Sequence, residues 1–343
     1  MSDHRSGPAG PRLTEYAELH GCSCKVGQGN LDELLSRAGL DGDQNDLLFG
    51  VGEDAGARQL RQDLALVQTV DFFTPIVDDP YDFGRVAACN AASDAFATGA
   101  TDDLSCLVVL GLPRELRDHA PAILRGMADL LDGVGGVVAG GHTTLNPWPF
   151  AGGAVTATAH PEHLLTARTA RPGDRLYLTK PLGTQPAMGA LRVGDGEFGE
   201  TVREATDRPI EDIGEEALAW MTTPNRDAAV VAREHATAAT DVTGFGLLGE
   251  ATVLAGNAGV GVEIDRLPIV DGTLALSRLF GYGLADGESA ETSGGLLIAV
   301  PGDGTADFEG ELSGAGVFYR VVGRVTDGSG ATLVEPEIER VRK

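Results

Sequence analysis

The sequence predicts two mixed domains, an α/β module in the first half of the chain and a second region of mingled helices and strands after it. Three observations carry this. The chain has 343 residues, more than one small core needs and suited to two domains of ordinary size. Apolar residues make up 42% and charged residues 22%, a globular composition. From residue 65 onward, apolar runs of strand length alternate with stretches of helical periodicity.

The elements follow in order. A polar head leads to the cluster Gly21-Cys22-Ser23-Cys24-Lys25, a helical pattern over residues 31–38 and an Asp- and Gly-rich stretch over residues 39–46. Residues 1–48 therefore read as a mobile preface. The first domain, residues 49–167, should hold a strand over 65–73, a helix over 81–98, a strand over 104–111, a helix over 114–131, and strands near Val137 and over 153–159. The polar segment at residues 166–174 closes on Pro172-Gly173, which places the boundary there. The second domain, residues 168–343, should hold a strand over 175–179, a small-residue helix after Leu182, and helices over 211–221, 226–235 and 246–255. Strands are expected over 260–264, 296–300 and 317–325. With 48 glycines, tight turns or backbone approaches to a ligand are expected as well.

Charge narrows the function. Acidic residues number 51 against 26 basic, a formal charge of −25, which disfavours general nucleic-acid or anionic-membrane binding and requires a local exception for any anionic ligand. Lys25, Lys180 and Lys343 are the three lysines against 23 arginines. With acidic residues spread along the chain, this resembles proteins of salt-loving organisms, where salt screens such repulsion; an ordinary acidic protein is the plainer alternative. No apolar run approaches the ~18 residues of a membrane span, and the first residues carry no hydrophobic signal region. A cytoplasmic protein is expected.

Cys89 and Cys106 sit in apolar surroundings and read as core. Cys22 and Cys24 stand beside Lys25, whose ammonium would favour a nucleophilic thiolate or hold a phosphate. An incidental pair of head cysteines, or half of a metal site, is the alternative. Asp54, Asp71 and Asp94 each lie among apolar neighbours, with Asn90 and Asp94 one helical turn apart. A buried carboxylate needs a cation or an N–H partner, and magnesium with substrate phosphates suits hard oxygen ligands. Taken singly, each aspartate could be a cap or turn residue. Val138-Ala139-Gly140-Gly141-His142-Thr143 ends an apolar strand, so its amides could face an anion. In Asp241-Val242-Thr243-Gly244-Phe245-Gly246, glycines would let a helix start against a phosphate; a plain helix capped by Asp241 or Thr243 is the alternative.

These segments, with Glu53-Asp54-Ala55-Gly56, the run from Thr69 to Pro80, Leu178-Thr179-Lys180-Pro181-Leu182-Gly183 and Thr292-Ser293-Gly294-Gly295-Leu296-Leu297, occur in an order that resembles the selenophosphate synthetases (selenide, water dikinases). Several are shared with the wider aminoimidazole ribonucleotide synthetase-like superfamily, but the Cys-x-Cys-Lys head resembles the selenium enzymes alone. The match runs from about Leu13 to the C-terminus. The resemblance implies an α/β N-terminal domain whose sheet forms a barrel across a homodimer, and an α+β C-terminal domain. It implies conversion of ATP, selenide and water to selenophosphate, AMP and orthophosphate, with Mg²⁺ and usually K⁺. It further implies Cys22 and Lys25 as catalytic residues and Asp54, Asp94 and Asp241 as magnesium ligands. Val51, Gly52, Glu53, Asp71, Gly140, Gly141, His142 and Thr143 would contact ATP, with Lys25 and Asp94. Two departures stand out: Glu53 replaces an aspartate, and Ser289-Ala290-Glu291 stands where the family usually has Asp-Pro-Gln. Another ATP-binding superfamily member, such as a thiamine-monophosphate kinase, would lack the cysteine head. A non-enzymatic selenium or metal carrier would not need the dispersed aspartates.

Overall fold

The computed structural model of the chain describes residues 11–25, 28–40 and 46–343. The first ten residues of the preface and residues 41–45 of its Asp- and Gly-rich stretch lie outside them. Helix α1 (Gln28–Ala38) is where the preface was expected to be helical. Residues 11–25, part of the stretch read as a mobile preface, are docked on the body. Leu13 and Cys22 are fully buried, the Gly21 N–H donates to the Thr74 carbonyl at 3.0 Å, and the Thr14 hydroxyl donates to Asp78 at 2.6 Å.

The N-terminal domain is a five-stranded sheet of β1 (Gly56–Arg61), β2 (Leu64–Phe73), β3 (Asp102–Leu112), β4 (Val137–Leu145) and β5 (Phe150–Ala159). The strand order is β1-β2-β5-β3-β4. Period-2 patterning sets its faces: Val67, Asp71 and Phe73 of β2 point inward, whereas Val70 and Phe72 are 59% and 48% exposed. The inner face is covered by α2 (Pro80–Ala97) and α3 (Ala120–Gly133). Asp79 caps α2, its carboxylate accepting the Asp82 N–H at 2.9 Å, and Pro80 opens the helix. The helix expected over 114–131 is instead a 3₁₀ turn (Arg114–His119) followed by α3. Pro121 in the first turn of α3 accounts for the break, having no N–H and a fixed φ. At the α2–α3 crossing, a Cβ on Gly126 would sit 2.0 Å from the Tyr81 carbonyl oxygen, so the two backbones meet there directly.

One strand end is corrected. Instead of stopping at Gly-Gly-His-Thr, β4 runs through it to Leu145 as the sheet edge, with every residue exposed. Gly140 and Gly141 have φ of 147° and 154° and face a register shift between Cys106 and Leu107. A Cβ on Gly141 would meet the Val108 oxygen at 2.2 Å, so these glycines serve strand pairing here.

The C-terminal domain contains β6 (Arg175–Leu178), α4 (Thr184–Val193), α5 (Gly199–Glu204), α6 (Ile210–Met221), α7 (Arg226–His235), β7 (Ala238–Asp241), α8 (Gly246–Ala258), β8 (Gly261–Val270), α9 (Thr273–Phe280), β9 (Leu296–Val300), α10 (Thr305–Gly314), β10 (Arg320–Thr326) and β11 (Gly330–Val341). Its sheet runs β11-β8-β10-β6-β9-β7. The sequence reading lacks β11, because this edge strand is rich in charge and broken by Pro336, where its pairing to β8 shifts register. One core runs from the N-terminal sheet through α2 into α4, α6, α7 and β9; a second lies between α8 and the other side of the C-terminal sheet. The two domains thus share a core, and α2 lies inside it. Among the described residues no helix is long and apolar enough to cross a membrane.

Candidate active site

A cavity of about 800 Å³ opens between the domains. Lys25 reaches it from the head, Val51, Gly52, Glu53 and Asp54 from the loop before β1, Asp71 from β2, Asp94 from α2, and Asp241 from the end of β7. Five separate stretches singled out in the sequence therefore converge. Gly140, Gly141, His142 and Thr143 do not join them within one chain, since they lie on the exposed edge strand β4 and are not among the lining residues.

At one end, four polar side chains form a continuous chain. The Lys25 ammonium lies 2.8 Å from Asp71 Oδ2, and the Asn90 side-chain N–H donates to the same oxygen at 2.7 Å. Asn90 Oδ1 accepts the Cys22 thiol at 3.2 Å and the Ser293 N–H at 2.9 Å. The Lys25 ammonium is held above its ordinary pKa: burial opposes its charge, but Cys22, Asp71, Asp94 and Asp241 together outweigh that. Lys25 was expected to lower the Cys22 pKa, and here burial wins. Desolvation of the fully buried thiol pushes it up, Lys25 pulls it down by less, and Asp71 and Asp241 add to the rise. Burial also raises the half-buried Cys24.

The opposite wall is acidic. The Thr240 hydroxyl donates to Asp54 at 3.0 Å and the Thr69 hydroxyl to Asp94 at 2.5 Å. Asp54 is raised well above the carboxylate range by burial and then by Asp241, Asp94 and Glu250. Asp94 is raised likewise by burial, Asp241 and Asp71. Asp241 is raised by burial, and its buried Oδ2 has no hydrogen-bond partner. Among the described residues, no three His, Cys, Asp or Glu side chains are clustered so as to hold a metal ion by themselves. Glu53 is otherwise committed: its carboxylate takes the Arg168 guanidinium at 2.7 Å and the Ala167 N–H at 2.9 Å, a clasp across the domain boundary.

Glu250 is a site residue that the sequence reading missed. It lines the cavity from α8, and burial with the nearby Asp241 pushes it up to about 8. Its signal was a single carboxylate in the apolar run Leu247-Leu248-Gly249-Glu250-Ala251. Neither Asp241 nor Thr243 caps α8 with its side chain; the N-cap is Phe245. Gly244 has a different use, because a Cβ there would lie 2.9 Å from the Cys22 carbonyl oxygen and 3.3 Å from Lys25 Cδ. Its bareness admits the head.

Comparison with known proteins identifies the family of the fold. Residues 52–159 match the N-terminal domain model of the AIR synthase related proteins, and residues 171–335 match the C-terminal one. The chain is 40% identical to a selenide, water dikinase of Methanocaldococcus jannaschii over 96% of this chain and 97% of that protein. It is 36% identical to selenide, water dikinase 2 of Homo sapiens, over 93% and 81% respectively. Among solved structures, AaThiL complexed with AMPPCP and TMP is similar in fold, with a TM-score of 0.68. It is 20% identical and covers 92% of this chain and 95% of its own.

The departure at Glu291 has a structural role. Its carboxylate, 1% exposed, accepts the Gly183 and Thr184 N–H groups at 2.7 and 2.8 Å and so caps α4 from a distance. Burial pushes it up to about 7 from 4.5, while those hydrogen bonds pull the other way. The folded state then binds the proton more tightly than the unfolded chain. Its stabilising contribution is full below pH 4.5 and is lost as pH rises through about 7. Glu291→Gln, which cannot titrate, should be less stable than the parent at pH 5 and close that gap by pH 8, by up to ~3 kcal/mol. Urea unfolding at both pH values measures this, and parallel pH profiles for the two proteins would contradict it.

Proposed function

The chain belongs to the AIR synthase related proteins and, within them, to the selenide, water dikinases, and from that premise we propose that its interdomain cavity converts ATP, selenide and water to selenophosphate, AMP and orthophosphate. The observation that supports this siting best is the meeting of Lys25 with the carboxylates of Asp54, Asp94 and Asp241 around one cavity large enough for a nucleotide, with Cys22 buried behind it and linked to Lys25 through Asn90 and Asp71. A nucleotide analogue bound to a protein of the same fold adds support. ATP as substrate and a working thiol both suit the cytoplasm.

Each residue then has a task. Lys25 stays charged at any physiological pH and neutralises phosphate oxygens. Asp71 orients it, at 2.8 Å. Cys22 handles selenium from a buried position beside that lysine, and the docked head keeps bulk water from the transferred group. Mg²⁺ fits the acidic wall, which offers hard oxygen donors, one of them the unpartnered Asp241 Oδ2. Asp54, Asp94 and Asp241 would hold it, with polyphosphate oxygens filling the rest of its shell. When bound, it supplies the charge neutralisation that phosphoryl transfer needs. K⁺ is included on the likeness to the family alone. The active unit in this reading is a homodimer. A second copy would cover Val70, Phe72 and Leu107, all about half exposed, and bring the β4 segment Gly140 to Thr143 into ATP contact.

Three measurements test these assignments. With ATP, Mg²⁺ and selenide, ³¹P NMR should show selenophosphate, AMP and orthophosphate for the parent chain, and no selenophosphate for Cys22→Ser, which still binds ATP. Selenophosphate from the serine variant would remove the thiol from the mechanism. Asp241→Asn should lower AMP release by orders of magnitude, with partial rescue at raised Mg²⁺, and its metal-free melting temperature should not fall, because burial costs this carboxylate's charge more than Lys25, Ser93 and Lys180 give back. An unfolded variant, or normal ATP cleavage, would make the aspartate structural. Sedimentation should give a dimer; a fully active monomer would discard the shared site.

A further inference from the structure

The C-terminal-domain loop before β9 is strained and tightly held. Ser293 has φ of 53°, in the left-handed region, and its buried hydroxyl has no partner. Such strain persists where the surroundings impose it. Glu291 ties the loop to the start of α4. The Lys180 ammonium, 2% exposed, donates to the Ser293 carbonyl at 2.8 Å, and the Asn225 amide donates to the Gly294 carbonyl at 2.9 Å.

What this rigid loop presents is a fit to the head. Thr292 Oγ1 accepts the Cys22 N–H at 3.1 Å. The Ser293 N–H donates to Asn90 Oδ1, the oxygen that also receives the Cys22 thiol. Contact is close enough that a Cβ on Gly21 would lie 2.2 Å from Thr292 Oγ1. Through its other end, Asn90 holds Asp71 and hence Lys25. We propose that residues 291–294 are the seat of the Cys22 head, with Thr292 and Asn90 as positioning residues that fix the sulfur relative to the Lys25 ammonium. This rests on the reading of Cys22 as the selenium-handling residue. The second domain thereby sets the aim of a thiol that the N-terminal segment carries.

The test is Thr292→Val, which keeps the shape and removes the acceptor, against Thr292→Ser, which keeps the hydroxyl. Selenophosphate formation should fall about tenfold in the valine variant, the worth of one buried hydrogen bond, with the KM for ATP within about twofold. The serine variant should recover most of the loss. Wild-type turnover in Thr292→Val while Cys22→Ser is inactive would overturn the seat, as would equal losses in the valine and serine variants. An active Cys22→Ser would instead overturn the reading beneath it. Hydrogen exchange on the unmodified chain needs no variant to fold: the Cys22 amide should be protected, and exchange at the rate of an unstructured segment would overturn the proposal.

Discussion

The structure depends on one helix that is buried along most of its length and still carries polar groups. From Val86 to Ala97 every residue of α2 is buried, and Asn90, Ser93 and Asp94 lie within that span. Buried polar groups are costly unless each finds a partner, so whatever packs on α2 must bring the right atoms. The head brings Cys22, β2 brings Asp71 and Thr69, and the C-terminal domain brings Asn225 to Ser93 at 3.0 Å and Ser293 to Asn90. Satisfying this helix and assembling the site are the same event.

The same burial makes the site electrostatically uneven. Asp54, Asp94, Asp241 and Glu250 are all raised by desolvation, and each also by a neighbouring carboxylate, which for Asp241 is Asp71; among the described residues the one lysine lining the cavity is Lys25. A hydrophobic replacement would serve stability better. The unevenness is useful only when a cation and a polyphosphate enter together, since each compensates what the other leaves. Lys180 shows the contrast. Burial lowers its pKa, and it spends its ammonium on the Ser293 carbonyl, where it holds a loop in shape.

Much of this was legible in the residues. Strong period-2 and helical patterns located β2, α2, α6 and α7 closely, and the carboxylates among apolar neighbours marked the site. What escaped has a common cause. Thr292 and the capping role of Glu291 depend on partners more than a hundred residues away, and Glu250 on burial of α8 beside Asp241 and Lys25, so no local pattern records them. In the sequence Gly140 and Gly141 read as the end of a strand whose amides could face an anion; in the structure they lie within the edge strand β4, beside a register shift in its pairing to β3.

By itself the sequence determined the mixed two-domain class, the place of most helices and strands, and the residue types able to handle a thiol, an ammonium and a metal-bound phosphate. Those follow from periodicity and side-chain chemistry, which are local. Tertiary structure decided which way Cys22 leans. The lysine beside it in sequence argues for a thiolate, but a fully buried sulfur feels desolvation more strongly than one nearby charge. Desolvation is a property of everything packed around an atom, so only the folded chain could determine it.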